Sequence, residues 1–375
     1  MKDNRCILIV PYLCAWFIIS CDSLYIPDEQ QNSNQIKITE ILNDGAIVLG
    51  EKLDNPYSLK NMQRALDTLM ATKGMESIEL EATDLYVRFR PTDTLQYRLL
   101  MDQNIELFDY PLTYDLLSDG DHYHDPSIPE DEITWQYTVV PVDQIDTDVQ
   151  YEEIDFDVID ENDLPVFHLI TDEVAKVSGR IIDACYFPEN DIITKSGIGL
   201  PVSAEELEAM AIQLSNLPEE YKNIPETKVA EYNPHGYIKF EYIEEGAPKT
   251  SGVKGVKVRA QRLLRWSSSF TSSTGYFTIP KKFGSKVNLS IVYENTNDFV
   301  IWGNYAFLAP AKYTFKDCIT GALIARTLEN SQKTKSAWKW AVVNNSAYEY
   351  YDYCRTEGIS PPPDKLKIWC IKTNG

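Results

Sequence analysis

The chain has 375 residues and a formal net charge of −22, with Asp and Glu outnumbering Lys and Arg by 57 to 35. So acidic a chain excludes a nucleic-acid partner held by phosphate neutralisation, and it excludes direct adhesion to anionic lipid headgroups. The length leaves room for more than one folded unit.

At the N-terminus, Lys2 and Arg5 precede an apolar run from Cys6 to Ile19. As a helix that run would span roughly 21 Å, short of the roughly 30 Å hydrocarbon core of a bilayer. Residues 1–20 therefore read as a secretory leader rather than a permanent span. Ile18-Ile19-Ser20-Cys21 closes the leader and resembles the lipobox of bacterial lipoproteins, whose cysteine is acylated and becomes the first mature residue. The resemblance implies lipidation at Cys21 and a protein held to the cell envelope, at the outer membrane or cell surface, with the membrane as a partner through the acyl chains. Each buried methylene of such chains contributes about 0.8 kcal/mol. Of the seven cysteines, Cys6 and Cys14 leave with the leader, while Cys185, Cys318, Cys354 and Cys370 remain without a C-x-x-C pair. Outside the cytosol these four can form one or two disulfides or stay as buried thiols, and their spacing does not choose.

Residues 21–50 form a polar tether, with Ile47-Val48-Leu49 as a candidate first strand. Ser58 is placed as an N-cap before Leu59, Met62, Leu66 and Leu69 at helical spacing, with Gly74 as the stop. Alternation predicts strands over 85–89, 105–110 and 135–141, each followed by or ending at a proline. A helix with short strands makes 51–142 a compact α+β domain. Residues 143–163 contain no Lys or Arg, so 143–170 reads as an acidic linker.

The next region, 171–330, opens with strand character at Val177–Ile182. Ser203 with Glu206, and Val202 with Leu207, form a capping box and a hydrophobic staple, predicting an inserted helix within 203–215. A strand follows over Gly236–Tyr242. Val256, Val258 and Ala260 then alternate with Lys257, Arg259 and Gln261, giving one dry and one basic face. A Ser/Thr-rich turn over 267–274 leads into Gly275-Tyr276-Phe277, and Val287, Leu289, Ile291 and Tyr293 alternate again. Residues 331–375 hold a helix over 336–353, a Pro361-Pro362-Pro363 stop, and one last strand over 366–371.

The pattern of Gly236 and Ile238, then Gly255, Val256, Val258 and Ala260, then Thr271, Gly275, Tyr276 and Phe277 resembles the carboxypeptidase-regulatory-like, or transthyretin-like, β-sandwich family. In that family an Asp commonly follows the Thr; here the position is Ser272. The resemblance implies an α+β chain overall: an N-terminal α+β domain followed by an immunoglobulin-like (transthyretin-like) β-sandwich with added helices. A wider resemblance, to uncharacterised surface lipoproteins of Gram-negative gut anaerobes, rests on Asn55-Pro56-Tyr57-Ser58, Leu85-Tyr86-Val87-Arg88-Phe89, Leu107-Phe108-Asp109-Tyr110-Pro111-Leu112, His124-Asp125-Pro126-Ser127-Ile128-Pro129, Trp135–Pro141 and Val342-Val343-Asn344-Asn345. Longer members of that family carry a zinc-peptidase-like H-E-x-x-H domain, and this sequence has no such motif. Two functions follow as expectations: a non-catalytic binding or structural module of the envelope with a protein or glycan partner, or the N-terminal accessory part of a secreted zinc-metallopeptidase-like lipoprotein.

No catalytic motif and no cofactor site are read from the chain. His122 and His124 could place two imidazoles on one side of a strand as a metal pair, but spacing supplies no third ligand. Asp155, Asp157 and Asp160 offer hard oxygens for calcium, yet without the glycine that lets an EF-hand loop turn. Trp266, Tyr276, Trp302, Trp338, Trp340 and Trp369 would make a sugar-stacking platform if exposed together, but large aromatics mostly belong to cores.

Overall fold

A computed structural model describes residues 45–103, 105–129, 131–146, 164, 166–169, 177–188, 201–222, 231–284, 286–304 and 309–370. The first unit runs β1 (Leu49–Lys52), α1 (Leu59–Thr72), β2 (Asp84–Phe89), α2 (Thr94–Asp102), β3 (Tyr114–Leu116), β4 (Gln136–Pro141), β5 (Ile145–Asp146), β6 (Val166–Leu169), β7 (Ser178–Cys185), α3 (Ala204–Leu214) and α4 (Glu219–Lys222). Helix α1 begins where Ser58 Oγ accepts from the Asn61 amide at 3.2 Å. Met62, Ala65, Leu66 and Met70 recur along it at helical spacing and are buried. It gives way to Gly74 at φ +68°, a left-handed position that glycine takes without a Cβ penalty. Helix α3 has the expected capping box between Ser203 and Glu206. It packs against α1 through a core that includes Leu207 and Ala211.

These helices cover one face of a five-stranded antiparallel sheet in the order β4-β2-β7-β6-β5. Strand β2 packs on both sides: Leu85, Val87 and Phe89 meet Tyr97, Leu99 and Leu100 of α2, while Tyr86, on the face shared with Asp84 and Arg88, points into the core beneath α1. Its edges are covered as well, β4 pairing along one and β7 along the other, so that its backbone groups are hydrogen-bonded on both sides.

That pairing changes the domain boundaries. The stretch 177–182, expected to open the sandwich, is the start of β7 and belongs to the first sheet. The helix expected as an insertion in the sandwich region packs on α1 instead. The segment 143–170, expected as a linker, contributes β5 and β6 to the sheet edge. Composition marks charge, but hydrogen-bond pairing across the chain decides membership. The expected strand over 105–110 is reduced to a single bridge from Phe108 to Tyr137, and α2 is a helix that periodicity did not single out.

The second unit contains β8 (His235–Glu244), β9 (Ala247–Gly252), β10 (Val256–Arg262), β11 (Arg265–Phe270), β12 (Tyr276–Thr278), β13 (Lys286–Asn295), β14 (Phe299–Asn304), β15 (Ala309–Pro310), β16 (Lys312–Ile319), β17 (Ile324–Leu328), α5 (Lys335–Glu357) and β18 (Leu366–Trp369). Two sheets enclose its core. Ile238, Phe240, Phe277, Ile324 and Leu328 come from the sheet built on β8, and Val256, Val258, Ala260, Val287, Leu289, Ile291 and Tyr293 from the sheet built on β10 and β13. Two pairings are parallel, β8 with β17 and β14 with β18. The turn before β12 is held by side chains. Thr271 Oγ1 accepts from Val256 N at 2.9 Å and donates to Val253 O at 2.7 Å. Ser272 Oγ accepts from the amides of Thr274 and Tyr276, both at 3.2 Å, so serine fastens the turn where an Asp was the expectation. Gly275 sits at φ +79°, and a Cβ there would lie 2.2 Å from Ile238 O.

Helix α5 closes the sandwich, with Trp340 edge-on to Tyr293 at 5.7 Å between ring centroids. Its buried Asn344 donates to Lys254 O at 2.8 Å and accepts from Asn295 Nδ2 at 2.9 Å; Asn345 donates to Gly252 O at 2.7 Å. These amides satisfy backbone carbonyls of the β9–β10 loop. The Val342-Val343-Asn344-Asn345 stretch is thus explained by packing. Among the described residues no helix is long and apolar enough to cross a membrane. Because Asn344 is fully buried, Asn344→Ala takes away one of the two donors to the Lys254 carbonyl, leaving Asn295 Nδ2 at 2.8 Å, and is expected to cost about 1–3 kcal/mol, read as a lower urea midpoint with an unchanged slope.

Candidate functional site

The basic face of β10 does not meet solvent. It is pressed against the segment 106–110 of the first unit. Arg259, only 2% exposed, places its guanidinium carbon 3.7 Å from the centroid of the Phe108 ring. Its Nη1 donates to Glu106 Oε2 at 3.0 Å and to Leu107 O at 3.1 Å. Lys257 pairs with the same Glu106 and, at 3.2 Å, with Glu294 of β13. Lys312 of β16 pairs with Asp109 at 2.5 Å, and Asp109 also accepts from Tyr123 N at 2.9 Å. Register puts these groups in one row: Val292 of β13 lies opposite both Lys257 and Lys312. Trp266 of β11 meets Phe108 edge-on at 5.4 Å, and Leu263 and Leu264 join the core of the first unit.

A cleft of about 230 Å³ opens at this junction, with Tyr97, Met101, Ile105, Ile133, Val292 and Pro310 among its walls and the six charged groups along its floor. Lys257, Arg259 and Lys312 face Glu106, Asp109 and Glu294, so their formal charges cancel. Burial pushes the Glu106 carboxyl up, but Arg259 and then Lys257 outweigh it and hold the group below the ordinary carboxylate range. Burial pulls the Lys312 ammonium down, with Asp109 opposing and the net shift downward. Burial raises the Tyr97 phenol, and Asp109 and Glu294 add to the rise. The floor therefore offers charge-assisted donors and acceptors in a partly desolvated setting, where such bonds are strong.

The two sequence-predicted histidines are not brought together as a metal pair. His122 lines the cleft and its Nδ1 pairs with Asp121, whereas His124 Nε2 lies 3.0 Å from Ile128 O in a neighbouring turn. Among the described residues no group of three or more His, Cys, Asp or Glu is arranged to hold a metal. Cys21, Asp155, Asp157 and Asp160 lie outside the described residues. Cys185, Cys318 and Cys354 are buried free thiols and Cys370 a half-buried one; burial pushes the Cys318 thiol up to about 11 despite the opposing Arg326. The six aromatics do not form one platform. Trp302 and Trp340 are buried, Trp338 donates to Glu241 O at 2.6 Å, Trp266 packs on Phe108, and the exposed Tyr276 and Trp369 sit in different sheets.

A second, wider groove of about 1030 Å³ follows α1. At its base lies Asp183, beside the irregularity where β7 pairs Asp183 with Tyr86 but Ile181 with Val87. Asn55 Nδ2 donates to Asp183 Oδ2 at 2.7 Å. Burial nevertheless pushes the Asp183 carboxyl up to about 7, against the hydrogen bonds from Asn55 and from the Ala184 amide.

Sequence reasoning missed Glu106, Asp109, Lys312, Tyr97 and Asp183. The one available signal was the pair Lys257 and Arg259 on a strand face in so acidic a chain, which calls for counter-charges somewhere.

Two measurements test these assignments. Glu106→Gln removes the carboxylate paired with the buried Arg259, and one of the two paired with Lys257, and is expected to cost about 3 kcal/mol at neutral pH. Because the folded Glu106 pKa lies below its unfolded value, that advantage is full above the unfolded pKa and fades as pH falls through the folded one; wild type and variant should converge in acid urea titrations. Asp183 has the opposite sign. Its folded carboxyl keeps a proton to about pH 7 while the unfolded one releases it near 3.8. Wild type should therefore lose stability relative to Asp183→Asn as pH rises through that window, leaving the variant with the higher melting temperature at pH 8.

The chain matches no protein-family model, no curated protein and no solved structure in these comparisons.

Proposed function

We propose that this chain is a lipid-anchored cell-envelope protein that acts as a non-catalytic binding module, its α+β unit carrying an immunoglobulin-like, transthyretin-like sandwich, with the cleft between them as the binding locus. The observation that carries the proposal is the buried pairing of Arg259 and Lys257 with Glu106 and of Lys312 with Asp109. Such pairs fix the two units about the cleft, so its walls are preorganised before any ligand arrives. The titratable groups there neutralise one another in pairs, which suits recognition. Anchoring is supported by the leader that closes on Ile18-Ile19-Ser20-Cys21. The anchor and the acidic surface together favour a partner met outside the cytosol, a protein or glycan component, over nucleic acid.

Growth with a labelled fatty acid tests the anchor. The wild-type protein should take up label and partition with membranes, and Cys21→Ala should do neither. Label retained by the alanine variant, or absent from the wild type, overturns the anchor.

A further inference from the structure

We infer that the cleft binds a small zwitterion of the α-amino-acid class with an apolar side chain. This rests on reading the cleft as a binding site and adds the chemistry of its ligand.

The floor of the cleft sets the charge of what fits. Three cations and three carboxylates already balance there, and Lys312, Asp109 and Arg259 are each less than a tenth exposed. A ligand with net charge would leave one of them, or itself, unbalanced in a partly desolvated space, which is costly. A neutral hydroxyl that enters makes weaker bonds to these groups than a charged partner would. A molecule carrying one ammonium and one carboxylate exchanges charge for charge.

Unused hydrogen-bonding capacity points the same way. Tyr97 lines the cleft, and its hydroxyl makes no hydrogen bond among the described residues. The Lys312 ammonium, with three donors, is paired with a single carboxylate, Asp109. Glu294 faces the same space, is about one-quarter exposed at 26%, and is paired with Lys257 alone. A ligand carboxylate accepts from Lys312 and Tyr97, and a ligand ammonium donates to Glu294. Above this floor, Met101, Ile105, Ile133 and Pro310 form an apolar wall for the side chain. The volume, about 230 Å³, lies below the roughly 300 Å³ at which pockets for larger ligands begin, and it admits a single amino acid.

Titration calorimetry of the full-length, detergent-solubilised protein is the test, with leucine, N-acetyl-leucine, leucine methyl ester and glucose as probes. Leucine should bind, and each blocked derivative should bind at least about tenfold more weakly, the loss of one charge-assisted bond. Tyr97→Phe and Glu294→Gln should each weaken leucine by about tenfold without lowering the melting temperature enough to unfold the protein at the assay temperature. Equal binding of leucine and its blocked derivatives overturns the inference, as does leucine binding that neither variant changes. Heat from glucose but none from leucine also overturns it while keeping the cleft as a binding site. Silence from every probe removes the small-ligand assignment, and anchoring through Cys21 then stands or falls on fatty-acid labelling alone.

Discussion

Arg259 must be both buried and charged, and much of the molecule answers to that requirement. A guanidinium taken out of water costs several kcal/mol unless its donors are met and its charge opposed. The sandwich cannot meet it alone, because the opposite face of β10, at Val256, Val258 and Ala260, is committed to the sandwich core. The first unit supplies Glu106, the Leu107 carbonyl and the Phe108 ring from one short stretch. That stretch is held in turn by the bridge from Phe108 to Tyr137 of β4. A charge on one unit is thereby tied to the sheet of the other, and the two fold as partners rather than as beads on a string.

The same constraint shapes what the junction can do. Buried ion pairs contribute little net stability compared with apolar packing of the same volume, yet breaking one is severe. They are therefore a way to hold one arrangement, and the cleft they floor inherits that rigidity. Lys257 and Lys312, opposite Val292 on adjacent strands, owe their spacing to sheet register. A polar surface placed by strands is more exact than one placed by loops. The anchor proposed at Cys21 and the ligand chemistry proposed for the cleft are independent of one another, since no residue serves both.

Local features were legible in the chain wherever a short-range signal decided them. Ser58 and Gly74 bracket α1, Ser203 and Glu206 start α3, and the period of two in β10 and β13 separates core from non-core side chains. What depended on distant pairing was not legible. β7 reads equally well as a strand of either unit until β2 claims it. Helix α2 is only nine residues long and closely follows Pro91, so its Asp93 cap and its Tyr97, Leu99 and Leu100 do not accumulate into a clear period. The candidate site suffered most, because Arg259 and Glu106 are 153 residues apart. No window along the sequence sees both. Asp183 was hidden for a related reason: its environment is made by Asn55 and by a strand irregularity, neither of which has a local sequence mark.

The two parallel pairings carry a consequence for how the molecule reaches this state. Antiparallel neighbours such as β10 and β11 can zip from a tight turn, but β8 waits for β17, and β14 for β18, across long intervening stretches. Closing such loops costs entropy before any contact repays it, so these edges assemble late and slowly. Until they do, the backbone of β14 beside the buried Phe299 and Ile301 is open to pairing with another chain. The interval before that edge is covered is the one in which a molecular chaperone would matter most.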